Sequence, residues 1–81
     1  MQPSTLVPEG ISQQLAVTVN GVVRPFPAGF TVADLLVSLK LDPHTVVIEH
    51  NGTILRDRSS FASLRLSAQD SIEIVHFVGG G

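Results

Sequence analysis

At 81 residues, the chain has room for one small domain with a modest core and little space for a substrate pocket. Its formal net charge of −2 argues against nucleic-acid binding, which requires a basic face. The absence of cysteine excludes disulfides, a thiolate nucleophile and a cysteine-based metal site, and it fits a reducing cytoplasm, the predicted location. No apolar run approaches the ~20 residues needed to span a membrane, so no membrane partner is expected.

The composition divides the chain into three parts. Residues 1–14 mix proline, glycine, serine and glutamine without a periodic apolar pattern, which predicts a disordered leader. Residues 15–78 carry the regular patterns of a folded domain, and residues 79–81 are a glycine tail that we expect to be flexible. No internal repeat or second domain is visible.

The domain is predicted to open with a β-hairpin. Residues 15–19 alternate large and small side chains, and residues 22–26 return as a second strand. Between them, Asn20-Gly21 favours a type I′ turn, which requires positive φ at both central residues. Pro25 cannot donate a hydrogen bond to a neighbouring strand, so the second strand is predicted to lie at the edge of the sheet.

A helix is predicted next. Thr31 is a suitable N-cap and Asp34 completes a capping box with Asp in place of Glu. Lys40 is predicted to lie in the last turn, and Pro43 disfavours helix from the preceding residue onward. The apolar stripe that would face the core consists of Val32, Leu35, Leu36 and Leu39.

The second half of the chain reads as strands. Residues 46–50 and 53–55 are predicted strands, residues 56–62 contain a turn of helix, and the final strand spans Ile72 to Val78. This order predicts an α+β domain, with a mixed sheet of four to five strands and one main helix across one face. It is also the order of the β-grasp fold, although the pattern alone does not single out that fold.

The glycine run carries the main functional signal. Gly79, Gly80 and Gly81 follow an apolar strand and end the sequence. Without Cβ atoms, such an arm can enter a slot that is closed to other residues, and three extended residues reach roughly 10 Å. We therefore predict that Gly79 and Gly80 thread into a partner and present the carboxylate of Gly81 for activation.

Alternation along the final strand predicts a partner-binding face. If Ile72 and Ile74 lie under the helix, Val75 and Phe77 lie on the open face beside the tail. Exposed apolar side chains there would suit a docking surface, and we take Val75, Phe77 and the adjacent Val78 as candidate partner-binding residues. The alternative is that Phe77 simply covers the rim of the sheet.

Other polar residues do not form a convincing site. His44, His50 and His76 lack the close spacing of a zinc site, so no metal is predicted. Asp70 is expected to hydrogen-bond its own turn. A solvated face is expected for the charged residues Arg56, Asp57, Arg58 and Arg65, with contact to a partner as the alternative.

Three segments resemble the thiamine-biosynthesis sulfur carrier (ThiS) family. The clearest is residues 70–81, an apolar strand followed by the terminal glycines, and it is supported by residues 46–52 and 31–36. The likeness covers residues 15–81. Either Arg56 or Arg58 could match a basic position of that family.

The resemblance implies a ubiquitin-like β-grasp fold and a carrier role rather than an enzyme. In that family an adenylating, E1-like enzyme uses ATP to activate the terminal carboxylate, here that of Gly81. A sulfur-donating enzyme then supplies the sulfur of a thiocarboxylate, which is delivered to thiazole synthase. The chain itself would bind no cofactor.

Two other functions remain open at this point. The small subunit of molybdopterin synthase shares the fold and the chemistry, but its tail more often has a proline-rich approach to Gly-Gly. A ubiquitin-like protein modifier belongs to a different class. Isopeptide-linked conjugates would favour a modifier, whereas a free thiocarboxylate pool would favour a carrier.

Overall fold

A computed structural model describes residues 14–77 of the chain. The predicted leader, apart from Gln14, lies outside the described residues, as do Val78 and the glycine tail. The elements are β1 (Gln14–Val19), β2 (Val22–Pro27), α1 (Val32–Ser38), a first 3₁₀ helix (Pro43–Thr45), β3 (Val46–His50), β4 (Thr53–Ile54), a second 3₁₀ helix (Arg58–Ala62) and β5 (Ser71–His76).

The five strands form one mixed sheet in the order β2-β1-β5-β3-β4. β1 and β5 are parallel, and the other neighbouring strands are antiparallel. The last strand of the chain therefore lies in the middle of the sheet. The predicted mixed sheet and single main helix are confirmed, with β1 beginning one residue earlier than expected, at Gln14, and β5 running from Ser71 to His76.

Both Asn-Gly pairs make tight turns between antiparallel strands. Asn20 and Gly21 have φ values of 51° and 84°, and Asn51 and Gly52 have 50° and 88°. Positive φ at both central residues is the type I′ geometry, whose twist matches that of the flanking strands. The hairpin prediction at Asn20-Gly21 is confirmed.

Prolines close the outer edge of β2. The even-numbered residues of β1 bond toward β5, as Thr18 does when its N–H donates to the Asp70 carbonyl. The odd-numbered residues therefore bond toward β2, and the register leaves the backbones of Val23, Pro25 and Pro27 pointing outward. Proline has no N–H, so two of these three positions offer no donor to another strand. The predicted edge position of Pro25 is confirmed.

The start of α1 follows the predicted capping box. The Thr31 hydroxyl accepts a hydrogen bond from the Asp34 N–H at 3.1 Å, and the Asp34 carboxylate accepts one from the Thr31 N–H at 3.0 Å. These two bonds satisfy donors that have no partner within the helix. The predicted N-cap is therefore confirmed.

The end of α1 differs from the prediction. The helix stops at Ser38, and Lys40 lies beyond it with φ of 61°. The Lys40 N–H donates to the Val37 carbonyl, and the Leu41 N–H donates to the Leu36 carbonyl at 2.9 Å. This is a Schellman motif with lysine where glycine is usual. Placing Lys40 in the last helical turn was wrong because the sequence lacks that glycine signal.

The core lies between α1 and one face of the sheet. Ile72 of β5 is fully buried there, and Ile74 packs against the same cluster. The opposite face of the sheet has no covering element among the described residues. The buried apolar residues are Val17, Val19, Phe26, Val32, Leu35, Leu36, Val46, Ile48, Phe61, Leu66 and Ile72.

Neighbouring positions on α1 should differ sharply in their effect on stability. Leu36 is buried, whereas Val37 is 75% exposed. We expect Leu36→Ala to lower the free energy of unfolding by about 2–5 kcal/mol, because it leaves a cavity in the core. Val37→Ala is the matched control and should change it by less than about 0.5 kcal/mol. Urea denaturation measures both, and equal losses would contradict the assignment of the two faces.

Candidate functional site at the end of the last strand

The candidate site is the C-terminal end of β5 and the sheet face beside it. Phe77 is the last residue that the structure describes. The predicted roles of Gly79, Gly80 and Gly81, and that of Val78, lie outside the described residues and stay predictions. What the structure does show is how firmly the strand that leads to them is held.

A polar cluster centred on the buried Asp70 holds the start of β5. The Asp70 carboxylate accepts hydrogen bonds from the Ser67 N–H at 2.8 Å and the Asn51 amide at 3.0 Å. Its other contact is the His50 ring, with Nε2 at 3.0 Å from Asp70 Oδ2. The cluster joins the β3–β4 turn to the turn before β5. It confirms that Asp70 bonds its own turn and adds two partners from about 20 residues away.

These contacts keep Asp70 ionised despite its burial. Burial by itself raises the pKa of the carboxyl, because it penalises the charged form. Hydrogen bonds from the Asn51 amide, the Ser67 N–H and the His50 ring outweigh this effect and hold the pKa of Asp70 below its ordinary value. The anchor of β5 is thus a buried, solvent-shielded carboxylate that is satisfied by donors.

Both turn asparagines also bond the backbone of β5. The Asn51 side-chain carbonyl accepts from the Ser71 N–H, and the Asn20 side-chain carbonyl accepts from the Ile74 N–H, both at 2.7 Å. β1 ends before it reaches Ile74, so this N–H would otherwise have no strand partner. Sequence reasoning found these asparagines as turn residues but missed the bonds, since local sequence carries no sign of them.

The far end of β5 is held by the segment before β3. The Phe77 N–H donates to the Thr45 carbonyl at 3.0 Å, and the His76 ring lies 3.1 Å from the Thr45 hydroxyl. Beyond the last residue paired with β1, β5 keeps its partner β3 only. The end of β5 is therefore hydrogen-bonded on the side of β3 and is unpaired with β1 on the other side.

The open face carries the apolar side chains that alternation predicts. Val75 is 59% exposed and Phe77 is 40% exposed, whereas Ile72 and Ile74 face the core. Val47, directly opposite Val75, and Ile54 on β4 are also exposed. We call these four residues, Val47, Ile54, Val75 and Phe77, the open-face patch. The partner-binding role of Val75 and Phe77 remains a prediction.

The other candidate residues do not assemble into a catalytic or metal site. The three histidines have separate partners, and residues 14–77 contain no group of three side chains suited to hold a metal ion. Within the same range, no helix is long and apolar enough to cross a membrane. Arg58 is exposed, as expected of a solvated face, and its guanidinium also donates hydrogen bonds to the Pro43 carbonyl at 2.8 Å and the Val46 carbonyl at 3.2 Å. Arg56 is exposed.

Comparison with known proteins points to one family. The sequence model of the ThiS family matches residues 13–81. A sulfur carrier protein ThiS from Bacillus subtilis is 43% identical over 51 residues, which cover 63% of this chain and 76% of the relative. A thiazole synthase from Paramagnetospirillum magneticum is 39% identical over 67 residues, or 83% of this chain. This chain spans only about a fifth of the length of that thiazole synthase.

Solved structures show the same fold. The crystal structure of a thiamine biosynthesis protein (ThiS) from Geobacter metallireducens matches with a TM-score of 0.63 and 32% identity, covering 83% of this chain and all of that one. A solution structure of a thiamine biosynthesis protein from the same organism matches with a TM-score of 0.66 and 31% identity, covering 83% of this chain and 88% of that one. The predicted α+β, β-grasp fold is confirmed.

The Asp70 cluster should make stability depend on pH. Because the folded-state pKa is lowered, the contribution of Asp70 is complete above its unfolded pKa of about 3.9 and is lost as pH falls through the folded value. We expect Asp70→Asn to reduce the free energy of unfolding at pH 7 by about 1–3 kcal/mol, because the amide cannot accept the same set of bonds. The deficit should shrink steadily in denaturant titrations below about pH 4. A deficit that does not change with pH would contradict this role.

Proposed function

This chain belongs to the ThiS family, and we propose that it is a sulfur carrier that serves formation of the thiazole of thiamine. The observation that carries the proposal is the path of β5. It is central in the sheet, is bonded at both ends, and leads within two residues of Phe77 to Gly79. A strand held by hydrogen bonds and followed by glycines suits a carrier whose domain stays outside the partner while its tail enters the partner's active site.

The chemistry proposed for Gly81 begins with activation. A C-terminal carboxylate has a pKa near ~3.5, so it is an anion at neutral pH and a poor electrophile. In the proposed first step, a carboxylate oxygen attacks the α-phosphorus of ATP, which releases pyrophosphate and leaves an acyl-adenylate. Hydrosulfide made available by the sulfur-donating enzyme then attacks the acyl carbon, so that a carbon–sulfur bond forms and the carbon–oxygen bond to AMP breaks. Loss of the S–H proton leaves a terminal thiocarboxylate.

The chain would supply only the acyl group in this scheme. We propose that ATP binding and the catalytic residues belong to an adenylating enzyme, and that a separate enzyme donates the sulfur. The chain is therefore a co-substrate and not an enzyme, and the cytoplasm stays its predicted location.

Thiazole synthase is the proposed acceptor of the sulfur. In the Paramagnetospirillum magneticum and Magnetococcus marinus proteins named thiazole synthase, a region similar to this chain lies within a polypeptide about five times as long as that region. A shared polypeptide keeps two regions at high effective concentration, which favours contact between them. We propose that Val75, Phe77 and Val78 contact the partner that receives the tail.

Changing the length of the tail should block sulfur transfer. We expect deletion of Gly81, or addition of one residue after it, to abolish thiocarboxylate formation while the melting temperature stays unchanged. One residue displaces the carboxylate by roughly 3 Å, which is far outside the tolerance of a reacting geometry. Intact-mass spectrometry after incubation with adenylating enzyme, ATP and a sulfur source detects replacement of oxygen by sulfur.

The full-length chain is the control in this assay. Unchanged conversion of either tail variant would refute the positional claim. Failure of the full-length chain to gain sulfur would contradict the carrier function itself. Isopeptide-linked conjugates in cells would instead favour a protein modifier.

A carboxylate introduced on the open face of β5 should affect partner binding, whereas one introduced on the core face should affect folding. We expect Phe77→Asp to weaken binding to thiazole synthase while the protein still melts near the wild-type temperature. The new carboxylate would face water in the free protein and would be desolvated in the complex. Ile72→Asp is the contrasting variant and should unfold the domain, because Ile72 is fully buried. If Phe77→Asp melts as poorly as Ile72→Asp, Phe77 belongs to the fold and not to the docking face.

A further inference from the structure

Two glutamates lie directly opposite each other on the open face of the sheet. The register of β3 and β5 pairs Glu49 with Glu73. Cross-strand neighbours on one face have Cβ atoms about 4.5–5.5 Å apart, so like charges in this arrangement repel. Within residues 14–77, neither carboxylate has a basic side chain at salt-bridge distance.

Water screens the repulsion between the two glutamates only in part. Glu49 is half-buried, while Glu73 is exposed. A like-charge pair that is partly shielded from solvent opposes folding, and the chain keeps it in the middle of its sheet. Neither carboxylate accepts a hydrogen bond from the described residues, so neither contributes such a bond to the fold. The pair therefore calls for an explanation outside the stability of the free domain.

The acidic pair is continuous with the open-face patch. Val47 and Val75 form the cross-strand pair two residues further along, and Phe77 follows Val75 at the same spacing toward the tail. Ile54 lies opposite Glu49 on the other side, in β4. The two negative charges thus lie at one end of an exposed apolar surface. The other end of that surface is next to the start of the tail.

Approach by the outer edge of the sheet is unfavourable at β2. Pro25 and Pro27 remove donors from two of the three outward backbone positions, so an added strand would find few partners there. Compared with that edge, the face of β3, β4 and β5 is the better surface for a protein that must also reach the tail.

We propose that Glu49 and Glu73 together bind one basic side chain of thiazole synthase, whose surrounding apolar surface covers the open-face patch. This inference rests on the proposed function, and the shared polypeptide of the relatives named thiazole synthase is the reason for choosing that partner. A guanidinium presents several donors in one plane and can serve two carboxylates at once. It would remove the repulsion between the two carboxylates, and the apolar residues around it would limit the access of water to the contact.

The test removes each charge without changing side-chain size. Glu49→Gln, Glu73→Gln and the double variant are compared with Glu9→Gln, which removes one carboxylate from residues 1–13 and serves as the charge-matched control. Thermal melts report stability. Calorimetry with purified thiazole synthase reports affinity at low and high salt, and the same titration with the adenylating enzyme is run in parallel.

We expect all three sheet variants to melt at or above the wild-type temperature, because repulsion is relieved, and to bind thiazole synthase more weakly by about tenfold or more. Glu9→Gln should leave both quantities unchanged. Affinity should fall more steeply with salt for the wild type than for the double variant.

Unchanged affinity in the sheet variants, an equal loss in Glu9→Gln, or a loss accompanied by a lower melting temperature would overturn the proposal. A loss seen only with the adenylating enzyme would also overturn it and would place the basic side chain on that enzyme. A wild-type chain that neither binds thiazole synthase nor gains sulfur would instead contradict the proposed function.

Discussion

Every feature of the candidate site depends on the hydrogen bonds that hold β5 in the centre of the sheet. β5 is the last strand that the structure describes, and its hydrogen bonds come from segments earlier in the sequence. Asp70 anchors its start through two turns, and Thr45 holds its far end. The Asn20 side chain accepts a hydrogen bond from the Ile74 N–H of β5, beyond the end of β1. A central strand bonded in this way gives the residues that follow it a fixed origin.

The two faces of the sheet meet different demands. The face under α1 buries a continuous apolar cluster, which provides most of the driving force for folding in so small a domain. The other face leaves Val75 and Phe77 in water and sets Glu49 against Glu73. These features add little to the stability of the free domain, which is why we propose this face as the surface that binds a partner.

The proposed chemistry needs little from the domain itself. A carrier must fix the point from which its reactive tail departs and must avoid unwanted association through strand edges. The fold meets the first need through the bonds to β5 and the second through Pro25 and Pro27 on β2. The energy for activation would come from ATP on the partner, which explains how so short a chain can take part in a demanding reaction.

Local sequence determined the elements whose signals lie within a few residues. The Asn20-Gly21 turn, the Thr31 capping box and the alternation of β5 follow from backbone sterics and short-range hydrogen bonds. Only the tertiary structure decided that β5 lies between β1 and β3, and that Glu49 faces Glu73. Such pairings join residues 20 or more positions apart, and they depend on how the core packs, so no local preference specifies them.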